Sequence, residues 1–376
     1  MNDITSDIPL SLYIHFPWCV RKCPYCDFNS HESKGDIPFV DYVDTLIRDL
    51  DHELATEQRN SLVSIFMGGG TPSLFPDSEI DRLLNAISDR IDLSGSEITL
   101  EANPGTFDQS HFDGYRRAGV NRISIGAQSF SPIALEKLGR KHAPEEIERA
   151  FEGARNAGFT RINLDLMHGL PGQNLEDAMH DLERAIRLEP EHLSWYQLTI
   201  EPNTVFYKRP PELPVEDTLA EITIAGQERL KTEGYMQYET SAYCRDSEQA
   251  LHNLNYWQFG DYLGIGAGAH GKVTRDGKVI RSSKTRMPAD YLREPAANRN
   301  IVAQNELVLE FLMNALRLTD GFDLDLFESR TGLERHALDN FQEKALHKGL
   351  ITPTTESVIP TERGRIFLNE LLLLAD

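Results

Sequence analysis

The sequence predicts an α/β chain: a partial, TIM-like (β/α)6 barrel followed by a mainly helical, winged-helix-like C-terminal domain. Three observations predict it. From Leu12 to about Ile200 the apolar pattern switches repeatedly between a period of two and a helical period, as βαβ units with a parallel sheet require. The units number six, short of the eight that close a full barrel. From about Asn305 the pattern turns helical, with a short hairpin signal before the last helix.

In the first strand Leu12, Ile14 and Phe16 alternate with Tyr13 and His15. Val43, Leu46, Ile47, Leu50 and Leu54 then follow helical spacing. Further strands are expected at Ser61–Met67, Glu97–Ala102, Asn121–Ala127, Arg161–Met167 and His192–Ile200. Helices are expected between them at Ser78–Asp89, Ser110–Ala118, Pro144–Ala157 and Leu175–Leu188. Repeated proline over 209–214 makes a stiff extended link. A helix over Asp217–Glu233 and a β-rich stretch follow. The glycine-dense run 263–271 reads as close backbone packing rather than a phosphate cradle. Phe311–Leu316 is the clearest C-terminal helix, and 349–361 reads as the wing hairpin. The expected divisions are 1–235, 236–300 and 301–376.

At 376 residues, 40% hydrophobic and 26% charged, the composition is that of a globular protein with one large and one smaller domain. A formal net charge of −21 argues against a nucleic-acid partner, because phosphates would be repelled overall. The winged-helix-like part is therefore expected to cover or dock rather than bind DNA. Arg116-Arg117 and Arg140-Lys141-His142 read as solvated helix ends. Met1–Leu10 lacks the apolar segment of a signal peptide. No apolar run approaches the ~20 residues of a membrane span, and Leu371–Leu374 is too short. Four cysteines, three of them clustered, suit a reducing compartment. The expectation is a cytoplasmic chain, with peripheral attachment to a membrane and homo-oligomerisation left open.

The clustered cysteines are Cys19, Cys23 and Cys26, a C-x3-C-x2-C run just after the first strand. Three thiolates on one loop suit an iron–sulfur cube that normally takes four, which leaves one iron open to another ligand. A zinc site borrowing His15 or His31, or a disulfide with a spare thiol, is the competing reading. Cys244, far away, reads as an ordinary strand or loop residue. After the second strand comes Gly68-Gly69-Gly70-Thr71-Pro72-Ser73, where glycine lets backbone amides approach a ligand. Glu101, Asn103, Gln128 and Asp165 also fall at or near strand ends, where barrel sites gather; turns alone would also collect polar residues there.

In order, these cysteine and glycine motifs resemble the radical S-adenosylmethionine (SAM) superfamily. That resemblance implies a [4Fe-4S] cluster on Cys19, Cys23 and Cys26 whose open iron chelates SAM, with the glycine run lining the SAM amino group. A closer resemblance rests on Tyr13-x-His15-x-Pro17-Trp18-Cys19, Glu101-Ala102-Asn103-Pro104, Gly126–Phe130, Leu138-Gly139-Arg140 and Asn163–Pro171. Together these are similar to the oxygen-independent coproporphyrinogen III oxidase family over nearly the whole chain. It implies that Tyr13, Tyr25, Gly69, Gly70 and Glu101 touch cluster-bound SAM. Thr71, Gln128, Arg140 and Asp165 would surround a second SAM or the substrate; Arg140 could instead pair with a glutamate.

Two departures speak against the oxidase activity itself. Asp27-Phe28 follow Cys26, where the oxidase has a further cysteine, and only a dozen residues precede Tyr13, where the oxidase has a long extension. A third feature, His252-Asn253-Leu254-Asn255-Tyr256-Trp257, is similar to the H-N-x-x-Y-W signature of the haem-chaperone (HemW) branch. Histidine is a good axial ligand for haem iron, and Tyr256 and Trp257 can flank a flat macrocycle; a turn cap and a core filler are the plainer alternatives. The resemblance implies haem bound near His252, Asn253, Tyr256 and Trp257. It also implies haem-accepting partners, expected among membrane-bound respiratory enzymes, and a reducing electron donor. The other reading is a radical SAM enzyme of porphyrin biosynthesis, in which a reduced cluster cleaves SAM to a radical that attacks substrate.

Overall fold

The structure, a computed structural model, describes residues 8–106 and 109–375. Most of the leading segment read for a signal peptide, residues 1–7, lies outside the described residues. The six expected strands are present: β1 Leu10–Phe16, β2 Ser64–Gly69, β3 Glu97–Ala102, β4 Arg122–Gln128, β5 Ile162–His168 and β6 His192–Gln197. Each pairs in parallel with its sequence neighbour. The helices Phe39–Leu54, Asp77–Ser88, Gln109–Arg117, Pro144–Asn156 and Leu175–Arg187 connect them. Both faces of a strand such as β1 are consequently buried, the usual state of parallel sheets.

The differences are at the ends. β2 starts at Ser64; at Ser61 there is only an isolated bridge to Asp92. β6 stops at Gln197, although the Leu198 amide still donates to the His168 carbonyl at 2.9 Å. A short helix, Pro132–Lys137, was not anticipated. Its six residues are too few to show a period; its start is written instead in Ser131, whose side chain accepts from the Ala134 amide, and in Pro132.

Six more strands add to the edges of the same sheet: β7 Met236–Glu239, β8 Ala242–Cys244, β9 Asp261–Ile265, β10 His270–Arg275, β11 Lys278–Lys284 and β12 Ala297–Ile301. The full order is β12-β11-β10-β9-β1-β2-β3-β4-β5-β6-β8-β7. β9 lies parallel to β1, and β8 antiparallel to β6. Asp261 helps fix β9: its carboxylate accepts from Lys272, Thr274 and Arg59. Glycine permits the close approach expected of run 263–271. A Cβ on Gly264 would lie 2.1 Å from the His270 carbonyl oxygen, and one on Gly266 2.3 Å from that of His15. Within this stretch, H-N-x-x-Y-W forms a helix, Leu251–Trp257, not a strand.

Beyond residue 301, the helices Leu307–Ala315, Leu324–Thr331 and Asp339–His347 pack with a three-stranded sheet of Phe322–Asp323, Ser357–Pro360 and Ile351–Thr352. This is the winged-helix-like part; its apolar cluster around Phe311, Phe322 and Phe327 also takes in Phe259 and, from β11, Val279. Among the described residues, no helix is long and apolar enough to cross a membrane.

Candidate functional site

A cavity of about 610 Å3 runs through the barrel, from the C-terminal strand ends at Gly69, Glu101 and Gln128 to Arg122 and His192, the first residues of β4 and β6. Cys19, Cys23 and Cys26 line one end of it. Their loop is closed by backbone pairing of Trp18–Cys19 with His31–Glu32. Lys22 Nζ tightens it further, donating to the carbonyls of Phe28 (2.9 Å) and Ser30 (3.2 Å). All three thiols are free, as is buried Cys244 in β8, so the disulfide reading falls away.

Both ring nitrogens of His15 are already engaged, so it could serve as a zinc ligand only by giving up one of these bonds. Its Nε2 donates to the Asn29 carbonyl at 2.9 Å, so its Nδ1 accepts from the Tyr13 hydroxyl at 2.8 Å. Among the described residues, no three His, Cys, Asp or Glu side chains converge on a single-ion site. Burial pushes the Cys19 and Cys26 thiols up, so a metal centre must displace their protons to bind.

The glycine run is tied to that loop. The Gly70 amide donates to the Phe16 carbonyl at 2.6 Å, and the Thr71 amide to that of Trp18 at 2.8 Å. Glycine is obligatory here. Gly69 has φ +108°, and its Cβ would sit 2.4 Å from the His15 ring; one on Gly70 would sit 2.5 Å from the Trp18 oxygen. The Gly69 amide donates to Glu101 Oε2 at 3.1 Å.

Tyr25, Gly69, Gly70, Thr71 and Glu101 line the cavity, as do Gln128, Arg140 and Asp165 opposite. Burial, and then the nearby Asp165, push the Glu101 carboxyl up to about 8. Asp165 is likewise raised by burial, against hydrogen bonds from Asn163 (2.8 Å) and Ser124 (3.0 Å). Arg140 Nε donates to the Tyr25 hydroxyl at 3.2 Å; its partner is a tyrosine, not a glutamate. Arg140-Lys141-His142 is therefore no solvated helix end, since Arg140 faces the cavity and His142 is buried. Gln128 Oε1 accepts from the Tyr196 hydroxyl at 2.8 Å.

His252, Asn253 and Trp257 line the other end. The His252 ring stacks on Phe66 at 4.2 Å, and its Nδ1 lies 2.9 Å from Glu97 Oε1. Glu97 also pairs with Arg161 (3.0 Å) and Arg122 (3.4 Å). Burial opposes ionisation of Glu97, but these partners outweigh it and hold the carboxyl well below the usual range. Two expected residues are not brought to the cavity wall. Tyr13 is spent on His15 and stacks with Phe66, and Tyr256 packs edge-on against Tyr262 at 4.7 Å.

Sequence reasoning missed Glu97, Phe66, Arg122, Tyr196 and Arg317. For Glu97 a signal existed: with Thr99 and Glu101 it shares one face of β3 by the period of two, and a buried carboxylate demands a partner. For Arg317 there was none, because its approach to the cavity is purely tertiary.

The Radical SAM superfamily model matches residues 13–185, and the HemN C-terminal domain model matches 302–367. The "Heme chaperone HemW" of Escherichia coli (strain K12) is 50% identical over 370 residues, covering 97% of this chain and 98% of that protein. The protein of the same name from Haemophilus influenzae is 51% identical, with 97% of each chain covered. The one from Bacillus subtilis is 34% identical, covering 96% and 97%. The chain belongs to the HemW family of radical SAM proteins. Among solved structures, the coproporphyrinogen III oxidase HemN of Escherichia coli superposes with a TM-score of 0.83 at 23% identity, covering 98% of this chain and 90% of that one. That likeness bears on the fold.

Radical SAM membership implies a [4Fe-4S] cluster and SAM, and the residues of this HemW-family chain fit both. Three free thiols face one cavity from one loop and, among the described residues, are not gathered on a single ion; three thiolates are the donor set of an iron–sulfur cube with one open iron. Beside them stand a glycine run that no side chain could replace and a carboxyl, Glu101, that lacks a cationic partner within hydrogen-bond reach among the described residues.

Proposed function

We propose that this chain binds haem and passes it to acceptor proteins, on a frame that also holds a [4Fe-4S] cluster and SAM. One observation carries the reading: a single cavity has the three thiols at one end and His252, Asn253 and Trp257 at the other. The names of the relatives support it.

Cys19, Cys23 and Cys26 would hold the cluster, which supplies an open iron for the amino and carboxylate groups of SAM. Gly69, Gly70 and Thr71 would lie along the bound SAM, and Tyr25, Gln128, Arg140 and Asp165 would position it. A cationic amino group near Glu101 would draw that carboxyl back to its ionised form, because an opposite charge favours the charged state.

His252 would ligate haem iron. Its Nδ1 is engaged by Glu97, which leaves Nε2 as the nitrogen for a metal. A carboxylate on the far ring nitrogen fixes the tautomer and raises ligand basicity. The acceptors are proposed to be respiratory proteins at the membrane, with this chain cytoplasmic and docking peripherally.

Anaerobic titration of cluster-reconstituted protein with haem, followed by Soret absorption, tests this. Saturable binding that weakens in His252→Ala and Trp257→Ala is expected. Unchanged affinity in both variants would remove the haem assignment from this helix. No specific binding by the wild-type chain would return it to the enzyme class, where substrate-dependent release of 5′-deoxyadenosine is the readout.

A further inference from the structure

The haem-motif end of the cavity holds two donors that no protein group accepts. Among the described residues, Trp257 Nε1 and Arg317 Nε are buried and without a hydrogen-bond partner. Both residues line the cavity, and the Arg317 guanidinium lies 4.3 Å from the Trp257 ring centroid. Arg317 is also the one lining residue, among those described, that comes from the C-terminal part.

Its position is fixed from the barrel side. Nη2 donates to Glu239 Oε2 at 3.1 Å, its carbonyl accepts from the Thr240 amide at 3.0 Å, and Leu318 bridges to Glu239. The guanidinium is thus stacked and paired on one nitrogen, while Nε is left over. Buried donors without acceptors are rare in folded proteins and call for an explanation. An acceptor-only group answers this pair. A carboxylate has two oxygens and no hydrogen to conflict, and its bond to a guanidinium is charge-assisted.

We propose that Arg317 and Trp257 form a carboxylate-binding corner that takes a propionate of the tetrapyrrole. This rests on the haem-binding reading above. The placement agrees with it. His252 and Trp257 come from one helix, Leu251–Trp257, and both line the same end of the cavity as Arg317. The C-terminal part then contributes to cargo binding directly, through one side chain.

The test compares haem with its dimethyl ester, whose propionates carry no charge, in anaerobic titrations of the cluster-reconstituted full chain. The wild-type protein is expected to prefer free haem. Arg317→Gln is expected to lose about ten- to a hundredfold for haem and to bind the ester as the wild type does. Trp257→Phe, which keeps an aromatic ring but removes the N–H, is expected to lose less in the same sense.

Arg317→Gln strands buried Glu239, so the double variant Arg317→Gln/Glu239→Gln serves as the control. The same loss there supports the corner; recovery of wild-type affinity overturns it. Equal binding of haem and ester by the wild type also overturns it, while a loss in His252→Ala would leave the haem reading standing. Absence of saturable binding of either ligand to the wild type sinks both.

Discussion

Glu97 and Glu101 sit on the same face of one strand and do opposite things. Glu97 is ringed by His252, Arg122 and Arg161 and held ionised. Glu101 accepts one backbone amide, faces Asp165, and is held protonated up to about 8. The residue type is the same and both are buried, so the difference comes from the neighbours. The histidine end of the cavity has its carboxylate matched by protein cations. The cysteine end has titratable groups raised by burial and awaiting charge from outside: thiols that need metal and a carboxyl that needs a cation. The carboxylate of one end is matched as folded, with the Trp257 and Arg317 donors left over there, and the charges of the other end are matched by its ligands.

The largest effect that sharpens this contrast is loss of the cluster. In anaerobic reconstitution, Cys19→Ala, Cys23→Ala and Cys26→Ala are each expected to lose bound iron and sulfide, while Cys244→Ala, buried in β8, keeps the wild-type content. Because the histidine end needs no metal to hold its shape, the cysteine variants are expected to keep their fold by circular dichroism. Full iron in the triple variant would refute the cysteine assignment.

A second test uses opposite pH slopes in the cluster-free protein. The Glu101 pKa is raised in the folded state, so below the unfolded value of about 4.3 its contribution is fully present. It is lost as pH rises through about 8. Glu101→Gln keeps an acceptor for the Gly69 amide and cannot ionise. Denaturant titrations from pH 5 to 9 are expected to show the wild type losing stability relative to this variant. The gap should be on the order of 4 kcal/mol at the alkaline end. Parallel curves would mean Glu101 is already ionised in the folded chain. Glu97 has the reverse sign: its depressed pKa gives stability that is present above the unfolded value and lost as pH falls.

Glu97→Gln breaks the charge-matched end. It leaves Arg122, 1% exposed, without its buried counter-charge, and removing one partner from a buried pair costs about 3 kcal/mol or more. Equilibrium unfolding at pH 7 measures it. A cost near zero would mean that Arg161 and Arg122 are satisfied elsewhere.

The two ends also differ in how far the sequence disclosed them. The cysteine end was legible because its parts are local: Cys19, Cys23 and Cys26 lie on one loop, and the glycine run follows one strand. Strand alternation placed Glu101, Gln128 and Asp165 at the same rim, and the fold class followed from the same periodicity. The histidine end was legible only as a motif. That motif reads as part of a β-rich stretch yet folds as the helix Leu251–Trp257, because seven residues carry too little period to decide. Its partners come from β2, β3, β4 and the far C-terminal part, as Phe66, Glu97, Arg122 and Arg317, and no spacing rule links residues that meet only after folding. Tyr13 and Tyr256 show the converse: a motif position can match while its side chain supports a neighbour instead of facing the cavity.

The smallest expected effect separates the two contacts that orient His252. Glu97 holds Nδ1 at 2.9 Å, and Phe66 stacks on the ring at 4.2 Å with planes 26° apart. Phe66→Leu keeps an apolar filler of similar size and removes the stack, worth about 1 kcal/mol beyond area burial. Haem affinity should therefore fall about fivefold, with iron content unchanged. The hydrogen bond fixes which nitrogen is free, and the stack fixes only the ring's tilt. A larger loss in Phe66→Leu than in Glu97→Gln would reverse that order, making the aromatic stack, not the carboxylate, the contact that sets the histidine for its ligand.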